Sequence, residues 1–217
     1  MDRLVHIYTK PHREIFLSFF WRSAMIKTDP NMLKVCVMGE GGVGKTTLAN
    51  RIITGVFNPA TKMTIGIDFH LFQMQILDPR KTDESLLPIS LAIWDFGGED
   101  RFRFMLPRFV KGANGGLLLF DLTRFSTTKY LKEWLSIWRE NAEPQTPLYI
   151  VATKYDKVSI AAQEILESQL NELKKELNIQ KHYFISSKSG YMIDNLIQDI
   201  ACDMWLHKNN VKISLAE

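Results

Sequence analysis

A glycine-rich octapeptide, Gly39–Thr46, constrains the fold of this chain more than any other sequence feature. It reads G-E-G-G-V-G-K-T and fits the pattern G-x-x-x-x-G-K-[ST]. The apolar run Leu33–Met38 before it predicts a buried strand, and the residues from Lys45 to about Thr54 predict a helix. Glycines let successive backbone N–H groups turn toward one point, and the helix adds the positive end of its dipole. The octapeptide therefore predicts a phosphate-binding loop between a strand and a helix.

Two side chains at the end of this loop are suited to a nucleotide and its metal ion. Lys45 is placed to bridge the β- and γ-phosphates, and the hydroxyl of Thr46 is placed to ligate Mg²⁺. The other loop residues predicted to contact the nucleotide are Glu40, Gly41, Gly42, Val43, Gly44 and Thr47. The loop alone does not distinguish ATP from GTP.

Short apolar runs alternate with helical periodicity along the rest of the chain. Five runs predict further strands: Ile67–Leu77, Ile89–Trp94, Leu117–Phe120, Leu148–Val151 and Tyr183–Ile185. The first two are separated by turn residues and predict a hairpin. Apolar residues at helical spacing predict helices in three segments: 131–138, 166–177 and 193–204. The pattern predicts a three-layer α/β fold whose six-stranded sheet is mostly parallel, with one antiparallel strand and helices on both faces.

The composition narrows the class of protein. With 217 residues, 46% of them hydrophobic and 24% charged, the chain is neither disordered nor collagen-like. Its 27 basic and 24 acidic residues are too balanced to indicate a nucleic-acid-binding protein. Two cysteines indicate a reducing compartment, and no apolar run reaches the roughly 18 residues of a membrane span. We therefore expect a cytoplasmic protein.

The two ends of the chain do not fit the strand–helix pattern. We expect a domain at residues 33–208, an apolar N-terminal extension at 1–32 and a short tail at 209–217. Aromatic and aliphatic residues in 13–25 suit an amphipathic helix that packs on the domain, contacts a membrane surface peripherally or binds a partner. The tail offers no cysteine for prenylation and Asp2 excludes myristoylation, so we expect no lipid anchor.

Four further segments follow the phosphate loop in the order and spacing of a known family. They resemble switch I, the entry to switch II, the guanine-reading N/T-K-x-D motif and the S-A-K loop, and they are Thr64–Phe69, Trp94–Glu99, Thr153–Asp156 and Ser186–Lys188. With the loop, they make residues 33 to about 207 resemble the Ras superfamily of small GTPases, in particular its Rab-like members. The resemblance implies a P-loop GTPase domain that binds GTP or GDP with Mg²⁺ and acts as a molecular switch.

The resemblance also implies roles for single residues. Thr64 would contact Mg²⁺ and the γ-phosphate, Asp95 would hold Mg²⁺ through water, and the Gly98 N–H would meet the γ-phosphate. The implied metal ligands are therefore Thr46, Thr64 and Asp95, and the implied catalytic residues are Lys45, Thr64, Gly98 and Glu99. At the base, Asp156 would accept the two guanine donors, with Lys154 and Phe57 covering the base. Thr153, Ser186, Ser187 and Lys188 complete the implied base-binding set.

Glu99 departs from the family pattern. Most members have a glutamine there, which orients the attacking water. An ionised glutamate only accepts hydrogen bonds and adds negative charge beside the γ-phosphate, so we expect slow intrinsic hydrolysis. Alternatively, Glu99 is a general base, Asp100 or a partner takes over its role, or Glu99 faces solvent. A second hypothesis is a GTP-bound interaction module that hardly hydrolyses GTP, whereas Asp156 disfavours an ATP-using phosphotransferase.

The expected partners follow from the same resemblance. Phe69, Trp94 and Phe109 fall where Rab-like proteins carry an aromatic triad that docks effectors, although strand aromatics are also ordinary core residues. We expect an exchange factor and a GTPase-activating protein as further partners. Large G proteins carry a built-in arginine where this chain has Thr61, and Arg101 and Arg103 suit solvation or ion pairing rather than catalysis.

Overall fold

A computed structural model describes residues 29–210, with the side chains of residues 100–102 left aside. Residues 1–28 and 211–217 lie outside the described part of the chain. The membrane contact expected of residues 13–25 therefore falls outside it, together with most of the extension and of the C-terminal tail. In the described part, no helix is long and apolar enough to cross a bilayer.

In the part of the chain that the structure describes, six strands form one sheet. They are β1 (Met32–Gly39), β2 (Ile67–Leu77), β3 (Leu86–Phe96), β4 (Gly115–Asp121), β5 (Leu148–Thr153) and β6 (Lys181–Phe184). Their order across the sheet is β2-β3-β1-β4-β5-β6. Only β2 and β3 pair antiparallel, in a hairpin whose register runs from Ile67 opposite Phe96 to Leu77 opposite Leu86. The predicted mostly parallel sheet with one antiparallel strand is confirmed.

Within residues 29–210, five α-helices surround the sheet. They are α1 (Lys45–Thr54), α2 (Leu106–Val110), α3 (Leu131–Asn141), α4 (Ile160–Leu177) and α5 (Ile193–Lys208). Three 3₁₀ segments lie between them, at Asp100–Met105, Leu122–Tyr130 and Tyr155–Lys157. The short α2 and the 3₁₀ segments were not predicted from the sequence, because none is long enough to show a helical period.

The apolar core has two layers because both faces of the sheet are covered. Along β1, Val35 and Val37 point into a cluster shared with α1 and α5, whereas Cys36 and Met38 point into a cluster shared with α2, α3 and α4. All four side chains are buried, which explains why residues 35–38 of β1 form a continuous apolar run rather than an alternating one. The three-layer arrangement expected from the strand–helix alternation is confirmed.

The topology brings the ends of four strands to one edge of the sheet. β1, β4 and β5 end at Gly39, Asp121 and Thr153, and the parallel strand β3 ends beside them at Phe96. Carboxyl ends of parallel strands are the common ligand site in open α/β sheets. The phosphate loop, the Asp95 side chain and the T-K-x-D segment are therefore neighbours in space, although the loop and the T-K-x-D segment are more than 100 residues apart in sequence.

Candidate nucleotide-binding site

The phosphate loop connects β1 to α1, and three of its glycines, Gly39, Gly42 and Gly44, have positive φ. Gly42 has φ 73° and Gly44 has φ 101°, conformations that side chains with a Cβ atom rarely adopt. With Gly41, Lys45, Thr46 and Thr47 they line one side of a cleft of about 380 Å³. The N-terminal end of α1 opens into this cleft, as an anion site requires.

Lys45 lies over its own loop. Only 5% of the residue is exposed, and Nζ donates to the carbonyl oxygens of Gly39 and Glu40, both at 2.8 Å. Burial lowers the pKa of Lys45 to about 8, with the charges of Asp95 and Glu40 opposing the shift. The ammonium is thus held at the cleft, where a phosphate would favour its charged form.

Three side-chain oxygens from separate segments converge beside Lys45. The Thr46 hydroxyl donates to Asp95 Oδ2 at 2.5 Å, the Thr64 hydroxyl donates to the same oxygen at 3.1 Å, and the two hydroxyl oxygens are 2.6 Å apart. α1 supplies Thr46, β3 supplies Asp95 and the loop before β2 supplies Thr64. The fold therefore brings together the three residues expected to bind the metal.

The second oxygen of Asp95 fits a cation. Asp95 is fully buried and its Oδ1 has no hydrogen-bond partner, an arrangement that is costly for a carboxylate. Burial raises the pKa of Asp95, although hydrogen bonds from Thr46 and Thr64 oppose the shift. Hydroxyl and carboxylate oxygens are the ligands that Mg²⁺ prefers. This oxygen set therefore fits the expected Mg²⁺, and its binding of the metal stays a prediction.

The loop after β3 packs directly on the phosphate loop. A Cβ atom on Gly98 would lie only 2.3 Å from the amide nitrogen of Gly41, so this contact requires a glycine. The neighbouring Gly97 N–H donates to the carbonyl of Gly66 at 2.7 Å, which joins the same loop to the segment that carries Thr64. Gly98 and Glu99 both line the cleft.

The T-K-x-D segment packs against the phosphate loop from the end of β5. The Thr153 hydroxyl contacts the carbonyl oxygens of Val43 and Phe120, at 2.6 Å and 2.9 Å. Lys154 adopts the left-handed conformation with φ 62°, and its side chain lines the cleft. Such strain in a residue other than glycine is common at functional sites. Asp156 is exposed and accepts a hydrogen bond from the buried Ser186 hydroxyl at 2.7 Å, which ties the T-K-x-D segment to the S-S-K loop.

Of the seven residues expected at the base, only Lys154 lines the cleft, and Thr153, Asp156 and Ser186 lie outside its wall. The other three are Phe57, Ser187 and Lys188. Phe57 and Ser187 are partly buried and Lys188 is exposed, and all three lie outside the residues that form the cleft wall. Their contact with a base stays a prediction. A larger cavity of about 600 Å³ lies at the opposite end of the sheet, beside Trp138 and Tyr149, and holds none of the expected site residues.

Sequence reasoning missed two charged residues beside the loop. Asp121 ends β4, is fully buried and pairs with both Arg124 and Lys154. Arg124 also reaches the phosphate loop, where Nη2 donates to the carbonyl of Gly41 at 3.0 Å. The sequence did contain a signal for Asp121, which directly follows the apolar run Leu117–Phe120. A carboxylate at the end of a buried strand needs a partner, as Asp95 does.

Comparison with known proteins identifies the family. The family model described as Ras of Complex, Roc, domain of DAPkinase matches residues 34–156. The chain is a Rab-like small GTPase of the Ras superfamily. It is 32% identical to Ras-related protein Rab-36 of Mus musculus over 169 residues, 77% of this chain and 60% of that protein. It is 29% identical to Rab-13 of Mesocricetus auratus over 182 residues, 84% of each chain.

The match to Rab-34 of Homo sapiens, like the match to Rab-36, covers only part of the relative's length. It covers 158 residues at 29% identity, 72% of this chain and 58% of that protein. This small GTPase thus spans about three-fifths of the length of the Rab-36 and Rab-34 relatives that it matches.

In this Rab-like GTPase the Trp94 ring contacts both of the other aromatic residues expected between the switches, Phe69 and Phe109. The Trp94 ring lies 5.4 Å from Phe69, edge to face, and 5.7 Å from Phe109. Trp94 is 7% exposed, and the other two rings are half-buried. The buried Lys34 places Nζ 4.5 Å from the Trp94 ring. The cluster is thus partly core and partly surface, and effector docking stays a prediction.

Arg103 in switch II is ion-paired, as the sequence indicated. Its guanidinium lies 3.4 Å from Glu40 of the phosphate loop and also pairs with Glu133 of α3. It sits above the ring of Trp134 at 5.4 Å. Arg103 therefore ties switch II both to the loop and to α3.

Proposed function

We propose that this protein is a GTP/GDP switch with Mg²⁺-dependent and slow intrinsic GTP hydrolysis. The observation that carries the proposal is the convergence of Thr64 with Thr46 and Asp95. Thr64 belongs to an irregular loop, whereas Thr46 and Asp95 belong to a helix and a strand of the core. A bound phosphate and cation would stabilise this loop position, and its loss after hydrolysis would release the loop.

The proposed reaction is in-line attack of water on the γ-phosphorus of GTP. A bond forms from the water oxygen to phosphorus, the bond from phosphorus to the β–γ bridging oxygen breaks, and GDP and phosphate leave. Lys45 supplies positive charge, and the loop amides and Gly98 N–H supply donors for the developing charge. Mg²⁺ held by Thr46, Thr64 and Asp95 would supply further electrostatic stabilisation.

The slow rate is proposed because of Glu99. This residue lines the cleft beside Gly98, which favours a role at the γ-phosphate over simple solvent exposure. A carboxylate there repels the anionic γ-phosphate and offers no donor to the water. The same position keeps the second candidate open, a GTP-bound interaction module controlled by exchange or by partners.

Guanine rather than adenine is the proposed base because of the Asp156 carboxylate. A carboxylate pairs with the two donors on the guanine edge, which adenine lacks. The hydrogen bond from the Ser186 hydroxyl to Asp156 holds the S-S-K loop beside this carboxylate. An exchange factor, a GTPase-activating protein and an effector at Phe69, Trp94 and Phe109 are the proposed partners, and the cytoplasm is the proposed compartment.

Single-turnover hydrolysis of pre-bound GTP with Mg²⁺ tests the proposal, with wild type compared with Glu99→Gln. We expect the wild-type rate to lie below about 10⁻⁴ s⁻¹, the intrinsic scale of small GTPases, and the variant to be faster. A wild-type rate at or above that scale, with a slower variant, would show that Glu99 takes part in the chemistry. Competition between GTP and ATP for the apo protein tests the base, and preference for ATP would overturn it.

A further inference from the structure

Three consecutive carbonyl groups of the phosphate loop are held by side chains from outside the loop. Arg124 Nη2 donates to the carbonyl of Gly41 at 3.0 Å, and Lys154 Nζ donates to that of Gly42 at 3.1 Å. The Thr153 hydroxyl lies 2.6 Å from the carbonyl of Val43. The oxygens of three successive peptide units are thus fixed by residues at or just after the ends of β4 and β5.

Fixing these oxygens also directs the amide N–H groups. A peptide unit is planar and trans, so its C=O and N–H point in opposite directions. With the three carbonyls turned toward β4 and β5, the N–H groups of Gly42, Val43 and Gly44 point away from these side chains. Gly42 and Gly44 line the cleft, so the arrangement aims consecutive donors at the expected phosphates.

One buried carboxylate positions two of the three donors. Asp121 Oδ2 accepts from Lys154 Nζ at 2.6 Å and from Arg124 Nε at 2.9 Å, and Oδ1 accepts from the Thr123 backbone N–H at 2.9 Å. Burial raises the pKa of Asp121, but the hydrogen bonds from Lys154, Thr123 and Arg124 outweigh it and lower the pKa overall. The carboxylate therefore stays ionised, and each cation is held between Asp121 and the loop.

The local backbone supports the position of Arg124. The residue lies within the 3₁₀ segment after β4, but its φ of −136° and ψ of 70° depart from helical geometry. The Thr127 hydroxyl donates to the Arg124 carbonyl at 2.8 Å and accepts from the Asp121 N–H at 3.0 Å. This closed turn holds the arginine beside the carboxylate that it pairs with.

We propose that Arg124 is a positioning residue for the nucleotide phosphates, acting through the peptide unit that joins Gly41 to Gly42. It does not line the cleft, so it acts by orienting an amide donor rather than by touching phosphate. Because Lys154 belongs to the base-reading motif, Asp121 also links base recognition to the geometry of the phosphate loop. The inference rests on the proposed binding of GTP and GDP.

Three variants test this role. Arg124→Gln removes the charge and the fork of donors, whereas Arg124→Lys keeps the charge but has one nitrogen to serve both Asp121 and Gly41. Arg80→Gln is the matched control. Arg80 is 50% exposed and pairs with the buried Asp78 at 2.6 Å, much as Arg124 is 48% exposed and pairs with the buried Asp121. Arg80 lies in the β2–β3 turn, away from the cleft.

The first measurement is the rate at which each protein releases a fluorescent GDP with Mg²⁺ present. Loss of one charge-assisted hydrogen bond predicts about tenfold faster release from Arg124→Gln, with partial recovery in Arg124→Lys. Arg80→Gln should release GDP at the wild-type rate. The second measurement is competition by guanosine, GMP, GDP and GTP, in which Arg124→Gln should weaken GDP and GTP but leave guanosine within about twofold of wild type.

The outcomes separate this inference from the proposed function. A wild-type protein that binds neither GDP nor GTP contradicts the proposed function itself. A wild type that binds them, with Arg124→Gln releasing GDP at the same rate, overturns the role of Arg124 alone. Equal weakening of guanosine and GDP would overturn it too, because a general loss of structure or of base binding does not depend on phosphate.

Discussion

An added methyl group at Gly98 tests whether hydrolysis needs the close contact between switch II and the phosphate loop. The new Cβ atom would lie 2.3 Å from the Gly41 nitrogen and 2.6 Å from the Glu40 carbonyl carbon. Favourable contacts between such atoms need about 3.5 Å, so Gly98→Ala forces the two backbones apart by about 1 Å.

Switch II is expected to move, because the loop carbonyls are already held by Arg124, Lys154 and Thr153. The Gly98 N–H would then lie about 1 Å from its place beside the γ-phosphate, and a displacement of that size costs about 10²-fold in rate. Gly98 has no positive φ, so the substitution adds no backbone strain of its own. We expect the free energy of unfolding to fall by about 1 kcal/mol or less.

Single-turnover GTP hydrolysis and urea denaturation of the same preparations separate these effects. Gly112→Ala is the control, since nothing lies within 4 Å of its added Cβ but its φ is +73°. It should lose about 1 kcal/mol of stability and keep its hydrolysis rate. A Gly98→Ala protein that hydrolyses GTP at the wild-type rate would refute the reasoning.

Two further predictions concern charged groups of the cleft. The pKa of Lys45 falls from 10.5 to about 8 on folding. Between those pH values the unfolded chain therefore binds more protons than the folded one, so the free energy of unfolding rises with pH. For the nucleotide-free protein, the stability of wild type relative to Lys45→Met should increase by about 2 kcal/mol from about pH 8 to 10. A pH-independent difference in urea denaturation would contradict this. For Asp95→Asn, a chelator should accelerate GDP release less than twofold, against about tenfold or more for wild type, and equal acceleration would argue against Asp95 as a metal ligand.

Most of the fold was predictable because its central strands have recognisable sequence patterns. β1, β4 and β5 are covered on both faces, so their runs are almost wholly apolar and easily recognised. The bounds of β2 were predicted to the residue, and the helix predicted from Lys45 to about Thr54 ends at Thr54. In contrast, β3 covers Leu86–Phe96 rather than Ile89–Trp94, and β6 covers Lys181–Phe184 rather than Tyr183–Ile185. Strand ends depend on pairing with a neighbour, which the sequence of one strand does not contain.

The site was predictable where a residue's role depends on its own motif. Thr46, Thr64 and Asp95 lie in three recognisable motifs, and the fold brings their oxygens within hydrogen-bond distance. Phe57 was placed only by its spacing from Thr64. It lies in an irregular loop, where spacing along the chain does not fix position in space, and it does not line the cleft.

Asp121 and Arg124 show why the rest of the site was not predictable from the sequence. The acceptor for Arg124 is the Gly41 carbonyl, 83 residues away, and a backbone carbonyl has no sequence signature. Lys154 and Thr153 were predicted to serve the base, yet both also hold carbonyls of the phosphate loop. A sequence motif identifies the side chains that contact a ligand. The contacts that hold the phosphate loop in its binding geometry are made to backbone atoms, which no motif identifies. These contacts form only because the fold brings four strand ends to one edge of the sheet. For this reason Arg124, which lies outside every recognised motif, is a candidate for control of nucleotide affinity.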